Sequence, residues 1–440
     1  MEPRKLFGTD GVRGVAGEEV TAELALALGR GAAEECSAER PQVLIVRDTR
    51  ESGPMLEAAF AAGVAQGGGD AWVAGVLPTP GASILVRRYG LDLGAVISAS
   101  HNPWRDNGIK LFGADGRKLA DEVEAAIEGR VEVVSGDGPE GTEAGRVRAL
   151  EGAGDDYLRE LTAAFPLDLA GRRVVLDCAN GATYRVAPAI FERLGAEVEV
   201  IGAEPDGRNI NRGCGSTDPA ALTERVVQVG AEVGFGFDGD GDRVLAVDGA
   251  GEVRDGDELL ALCARHLAEE GSLNGGVAVT VMSNYGFHQA MEDADIDVAT
   301  TPVGDRHVVA ALAERGWTLG GEQSGHLIWT ELGPTGDGIS AALLVMRALG
   351  DRRLDAAAPM RKLPQLLRNV RVADRDGLDD AAALWEAVER ENGGLEGRGR
   401  VLVRPSGTEP VIRVMVEAPD EVECEEVCAR LVAVVQRELS

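Results

Sequence analysis

The run Val233-Gly234-Phe235-Gly236-Phe237-Asp238-Gly239-Asp240-Gly241-Asp242-Arg243 sets three carboxylates at alternate positions with glycine between them. Glycine spacers let a tight loop turn several carboxylate oxygens to one point, the hard-oxygen shell that Mg2+ takes. Two other readings fail on context. A calcium loop beginning at Asp238 would close with Glu at its twelfth position, but its sixth residue is Arg243 and its twelfth is Gly249. Gly234, Gly236 and Gly239 mimic a dinucleotide fingerprint, yet a strand-like Val244 to Val247 follows where a helix is needed. The bland alternative is a solvated acidic loop.

Ser98-Ala99-Ser100-His101-Asn102-Pro103 follows the apolar Ala95 to Ile97. Asn-Pro enforces a turn that presents Ser100, a hydroxyl able to take and give a phosphoryl group, although serine before Asn-Pro is usually turn chemistry alone. Lys110 follows in a chain whose only lysines are Lys5, Lys110, Lys118 and Lys362. Beside a phosphoryl acceptor it serves as general acid or base if its pKa is lowered, or as a cation, or it makes a surface ion pair.

Three weaker motifs remain. In Arg404-Pro405-Ser406-Gly407-Thr408-Glu409-Pro410, with Arg413 beyond, small hydroxyl residues expose backbone N–H groups and two arginines can grip phosphate oxygens. That reads as an anion cradle, or as an ordinary hairpin turn. Glu322 and Ser324 in Gly320-Gly321-Glu322-Gln323-Ser324-Gly325-His326 suit adjacent sugar hydroxyls. Gly8-Thr9-Asp10-Gly11-Val12-Arg13-Gly14 either lies beside the Ser100 loop or is an N-terminal turn.

The elements that must hold these loops are legible as a repeated strand-then-helix grammar. Gln42 to Val46, a helix around Pro54 to Gln66, Ala71 to Val76 and Ala95 to Ile97 open an α/β unit, with a first helix over Thr21 to Cys36 capped by Thr21. The pattern restarts at Arg173 to Leu176 and again at Gly276 to Met282. Polar, Gly-rich Ser135 to Gly145 reads as loop, and from about Leu363 the grammar becomes that of a smaller α+β unit. We expect three similar α/β domains, over residues 1–150, 151–250 and 251–362, and an α+β domain over 363–440. Every chemical motif then falls in a loop after a strand.

Composition narrows the partners. With 440 residues and a net charge of −30, binding of nucleic acid through a basic surface is not expected, and an anionic substrate must be caught by local arginines and backbone amides. The acidic, lysine-poor balance is that of salt-adapted proteins; a GC-rich genome would also favour Ala, Gly and Arg, and the acid excess tips the expectation towards a halophilic source. No signal-like start and no membrane-length apolar run is seen, so a cytoplasmic protein without membrane partners is expected. The six cysteines form no CxxC pair and read as reduced thiols, with Cys424 and Cys428 on one helix face.

Taken together and in order, FGTDGVRG, SASHNP with DNGIK, DCANGATY, NINRGCGST, FDGDGDR, VMSN, VGDR, GEQSGH and RPSGTEPVIRVMVE resemble the α-D-phosphohexomutase family over essentially the whole chain. The resemblance implies four domains around a central cleft and an isomerase that moves a phosphoryl group within a hexose phosphate. It implies Ser100 as phosphoserine, with Asp238, Asp240 and Asp242 holding one Mg2+ per chain together with a phosphate oxygen on Ser100. Arg243 would adjoin that cluster. Lys110 would be the acid/base group with His101 assisting. Glu322 and Ser324 would grip the sugar, and Arg404, Ser406, Gly407, Thr408 and Arg413 the phosphate that is not reacting, with Thr9 and Arg13 as further substrate contacts. A hexose 1,6-bisphosphate would be intermediate and activator, and the protein a monomer or homodimer. SASHNP, CGST and VGDR lean towards glucosamine 6-phosphate and glucosamine 1-phosphate, against mannose and glucose phosphates; the chain departs from the pattern at His307, where tyrosine is expected. The rivals are a non-catalytic sugar-phosphate sensor and a phosphatase.

Overall fold

β-Branched residues fill strands such as Val277–Thr280 and Val298–Thr301, and side-chain caps start several of the helices. Thr21 Oγ1 accepts from Leu24 N at the start of the helix Ala22–Glu35, and Asp255 and Glu258 form a reciprocal capping box on the helix Gly256–Glu269. The computed structural model of the protein describes residues 6–8, 10–133, 143–373, 375–406 and 410–439. Most of the loop expected at Ser135 to Gly145 lies outside them, as do Thr9, Gly407 and Thr408. The described chain gathers into two compact units, Met1–Val281 with Asp297–Ala358, and Met282–Ile296 with Pro359–Ser440.

The first unit holds three sheets. β1 (Val12–Val15), β2 (Gln42–Arg47), β3 (Asp70–Val76), β4 (Leu93–Ile97), β5 (Asp106–Gly113) and β6 (Val147–Ala149) lie in the order β1-β5-β4-β2-β3-β6. β2, β3, β4 and β6 pair in parallel, while β5 runs antiparallel to β4 and β1. β7 (Arg173–Asp177), β8 (Glu197–Ile201), β9 (Val233–Phe237), β10 (Val244–Asp248) and β11 (Val253–Arg254) take the order β11-β10-β9-β7-β8. β12 (Val277–Thr280), β13 (Val298–Thr301), β14 (Leu319–Gly321) and β15 (Leu327–Trp329) take the order β13-β12-β14-β15.

Each sheet repeats one device: a parallel run ends in an antiparallel hairpin, β4–β5, β9–β10 or β14–β15. Those hairpin connections carry Ser100, the three aspartates and Glu322 respectively. β4 and β9 are buried along their whole length, as strands covered on both faces must be. Each fully buried aliphatic side chain there contributes roughly 1.5–3 kcal/mol, so the loops spring from rigid ends.

The second unit is built on an antiparallel sheet, β16 (Gln365–Arg371), β17 (Arg400–Pro405) and β18 (Val411–Glu417), in the order β16-β18-β17. The helices Ala382–Leu395 and Glu421–Leu439 share its core, which buries Cys424 and Cys428 as free thiols on one helix face. Besides residues from Pro359 on, this unit takes the helix Tyr285–Glu292. Asn284 caps that helix through Gly286 N and exchanges hydrogen bonds with both N and O of Leu363, each at 3.0 Å.

Candidate active site

Ser100 stands at the β4–β5 turn with φ 52°, the left-handed region that costs a non-glycine residue about 1–2 kcal/mol. Its Oγ is buried and donates to Asp238 Oδ2 at 2.5 Å, with His101 Nδ1 3.4 Å away. The β9–β10 loop approaches so closely that a Cβ on Gly239 would lie 2.5 Å from the Ser100 carbonyl oxygen. Glycine in this run therefore admits the serine loop as well as turning the carboxylates.

Asp238, Asp240 and Asp242 are all buried and offer one oxygen each within 4.8 Å of one another. Oδ1 of Asp240 and Oδ1 of Asp242 have no hydrogen-bond partner. Burial, and then the charges of Asp242 and Asp240, push the Asp238 carboxyl well above the usual carboxylate range. Crowded like charges with orphan oxygens and an oxygen-only donor set fit a hard divalent cation such as Mg2+.

Around the aspartates stands a ring of cations. Lys110 Nζ lies 2.9 Å from Asp240, 3.1 Å from Asp10 and 3.6 Å from Asp242. Burial works against its charge, but Asp10, Asp240 and Asp242 prevail and hold its pKa above the ordinary lysine value. Of the two roles open to Lys110, acid or base and plain cation, these carboxylates favour the cation. His101 shifts the opposite way, lowered by burial and by Arg243 and Arg13, which favours the neutral imidazole next to Ser100. Arg243 donates its backbone N–H to Asp238 Oδ1 at 3.2 Å and brings Nε to 3.8 Å from Asp242. Arg13, on β1 opposite Gly108 of β5, pairs with Asp10.

The β14–β15 loop is locked to the metal loop by Val244 N donating to Gly325 O at 3.0 Å. Gly325 has φ 90°, and a Cβ there would strike Val244 O. Glu322 Oε1 accepts from Gly304 N at 3.2 Å, while Ser324 Oγ lies 3.4 Å from Glu322 Oε2. The structure thus brings together Ser100, His101, Lys110, Arg13, Arg243 and the three aspartates, with Glu322 and Ser324 on the adjoining loop.

Arg404 and Arg413 belong to the second unit and stand opposite each other on β17 and β18. Arg413 Nη2 reaches Ser406 Oγ at 3.4 Å, and Arg375 Nη1 donates to Ser406 O at 3.0 Å. Burial and then Arg413 lower the Arg404 pKa. Two adjacent guanidiniums with that perturbation form a place for an anion.

Sequence reasoning assigned no role to several residues at the first unit's site. Asp10 bridges Lys110 and Lys118, and Lys118 Nζ also meets Asp305 at 2.6 Å. Thr79 Oγ1 donates to Asp240 Oδ2 at 2.7 Å. His326 Nε2 accepts from Gly336 N, which turns Nδ1 towards Asp242 Oδ2 at 3.7 Å. Lys118 was within reach of the scarcity that singled out Lys110; Thr79 carries no local signal.

Models of the phosphoglucomutase/phosphomannomutase family match residues 4–135 (alpha/beta/alpha domain I), 155–251 (domain II), 255–367 (domain III) and 367–434 (C-terminal domain). A phosphoglucosamine mutase of Desulforudis audaxviator is 51% identical over 440 residues, covering 98% of this chain and 97% of the relative. One from Moorella thermoacetica is 51% identical over 436 residues, covering 97% of this chain and 98% of its own. Among solved structures, a phosphoglucomutase/phosphomannomutase family protein of Burkholderia thailandensis superposes with TM-score 0.82 at 22% identity, covering 97% of this chain and 96% of the other. Aspergillus fumigatus N-acetylphosphoglucosamine mutase, in complex with GlcNAc-6P and magnesium, gives 0.71 at 18% identity, with 99% and 96% covered. At such identities the likeness to the solved structures is one of fold. No helix of the described residues is long and apolar enough to cross a membrane.

Proposed function

This chain belongs to the phosphoglucomutase/phosphomannomutase family, and from that premise we propose that it interconverts glucosamine 6-phosphate and glucosamine 1-phosphate through a phosphorylated Ser100. The observation that carries the reading is the Ser100 hydroxyl held 2.5 Å from Asp238 within three buried carboxylates, with Lys110 and Arg243 facing them. Curated relatives at about half identity carry the name phosphoglucosamine mutase, which favours the aminosugar over mannose or glucose phosphates.

In the proposed cycle a sugar hydroxyl attacks the phosphorus on Ser100. The new P–O(sugar) bond forms as the P–Oγ bond breaks, and the hydroxyl proton passes to the neutral imidazole of His101. Lys110 and Arg243 balance charge on the phosphoryl oxygens and stabilise the departing serine oxygen. Asp238, Asp240 and Asp242 would hold one Mg2+, which supplies further neutralisation of the transferring group. The hexosamine 1,6-bisphosphate so formed turns over and returns its other phosphoryl group to Ser100. Arg404, Ser406 and Arg413, with Gly407 and Thr408, are proposed to hold the idle phosphate, Thr9 and Arg13 to be further substrate contacts, and Glu322 and Ser324 to grip the sugar hydroxyls. A hexose 1,6-bisphosphate would prime an unphosphorylated chain.

Intact-mass and peptide mapping after priming, with turnover measured on glucosamine, mannose and glucose phosphates, tests this. A phosphate on Ser100 and fastest turnover of the aminosugar are expected, and Ser100→Ala should lower turnover on the order of 1000-fold or more with its melting temperature kept. Another preferred sugar would change the substrate and keep the mechanism, whereas a chain never phosphorylated and never turning over would overturn both.

A further inference from the structure

We propose that Arg50 is the positioning residue of the phosphoryl-carrying loop: a buried guanidinium that holds the Ser100 turn in place by grasping four of its backbone carbonyls. The inference rests on the mutase reading above. Arg50 follows β2 and is fully buried, as is its partner Asp48. A guanidinium has five N–H donors in a planar fork, and here every one is used. Nε donates to Asp48 Oδ2 at 2.8 Å. Nη1 donates to Pro103 O and to Asp106 O, the latter at 2.8 Å. Nη2 donates to Ser100 O at 2.8 Å and Asn102 O at 2.9 Å.

The same ion pair reaches the other side of the serine. Asp48 Oδ2 accepts from Ser98 Oγ at 2.5 Å, and Ser98 Oγ accepts from Ser100 N at 3.0 Å. Both backbone polar groups of Ser100 are therefore tied, one directly and one through Ser98, to a single buried salt bridge. Asn211, from the loop before the helix Ala220–Val229, adds a second grip by donating Nδ2 to Ser100 O at 2.9 Å and Asn102 O at 3.2 Å.

This machinery has a reason. The Ser100 turn runs outside the sheet hydrogen bonding, and Ser100 holds a left-handed φ. Yet its Oγ must stand in line with a sugar hydroxyl twice per turnover, once to give and once to recover the phosphoryl group. A displacement of about 1 Å in such a geometry costs on the order of 100-fold in rate. Arg50, fully buried, acts on the reaction through the loop and not on the sugar. Lysine, with donors radiating from one point, cannot reproduce a fork that meets four carbonyls.

The test compares wild type, Arg50→Ala, Arg50→Lys and Asn211→Gly for kcat, KM, melting temperature and the rate at which a bisphosphate phosphorylates Ser100. Glycine at 211 keeps the backbone conformation there, whose φ is 57°. Arg50→Ala should lower kcat and the rate of Ser100 phosphorylation on the order of 100-fold, with KM within about 2-fold of wild type, and added guanidinium ion should restore kcat at least ~10-fold by refilling the cavity. Arg50→Lys should recover less than guanidinium does. Asn211→Gly, which removes the second grip, should lower kcat without raising KM, and it decides the matter should Arg50→Ala not fold. A folded Arg50→Ala with wild-type kcat would overturn the proposal, as would KM and kcat failing together without guanidinium rescue, or an Asn211→Gly protein with unchanged kcat. Failure of wild type itself to accept phosphate on Ser100 would instead strike the mutase reading.

Discussion

On the proposed function, the aspartate loop of the first unit and the arginine pair of the second would handle phosphate in opposite ways. Around Asp238, Asp240 and Asp242 the charges are interleaved: Lys110 faces Asp10, Asp240 and Asp242, and Lys118 faces Asp10 and Asp305. Arg404 and Arg413 stand side by side across a strand pair, and Arg413 works against the charge of Arg404. The first arrangement is assembled before any substrate arrives, apart from the orphan oxygens that suit a cation. The second is left in repulsion that an anion relieves. A chemical step needs fixed groups, whereas a subsite that must accept a sugar in two orientations needs only charge and donors.

The largest effect should separate these two designs by stability. Lys110→Met leaves buried carboxylates without their cation and should destabilise the Mg2+-free protein by roughly 3–5 kcal/mol, partly recovered by saturating Mg2+. A denaturant melt with and without the ion measures it, and an unperturbed midpoint would mean that the interleaved charges do not support one another. Arg404→Met should behave in the reverse sense, leaving the melting temperature unchanged or higher while KM for the sugar phosphate rises about 10-fold or more, as for loss of one charge-assisted contact. A destabilised Arg404→Met would break the contrast. Asp240→Asn should raise the Mg2+ concentration for half-maximal activity about 10-fold, and an unchanged titration would move the ion elsewhere. The smallest effect concerns the whole surface. At net charge −30, molar KCl should raise the melting temperature by screening self-repulsion, while the same salt should weaken anion capture at the half-buried arginine pair more than cation binding at the buried aspartates. A melting temperature indifferent to salt would leave the acidic composition without a stabilising role.

Ser100, the three aspartates and Lys110 were legible because each has a type and a setting that chemistry narrows: a hydroxyl in an Asn-Pro turn, carboxylates spaced by glycine, a lysine in a chain nearly free of lysine. Arg50 and Asp48 were not, since Asp48-Thr49-Arg50 reads as any polar turn after a strand and its partners lie some fifty residues on. Asp10 stood in a motif already singled out, yet nothing local says that an acid three residues before Arg13 faces Lys110. Nor could the sequence choose between the two roles open to Lys110, for burial alone would lower its pKa and the neighbouring carboxylates raise it.

The sequence by itself determined which loops carry the groups suited to phosphoryl chemistry and the repeated strand-and-helix grammar beneath them, because spacing, turn residues and side-chain type are local properties. Tertiary structure alone decided that three of those loops occupy the same hairpin position in three sheets, that Ser100 meets Asp238, and that Asp10, Asp240 and Asp242 surround Lys110. The last two are consequences of packing residues a hundred or more positions apart, where burial and neighbouring charge set the energies and no short pattern records them.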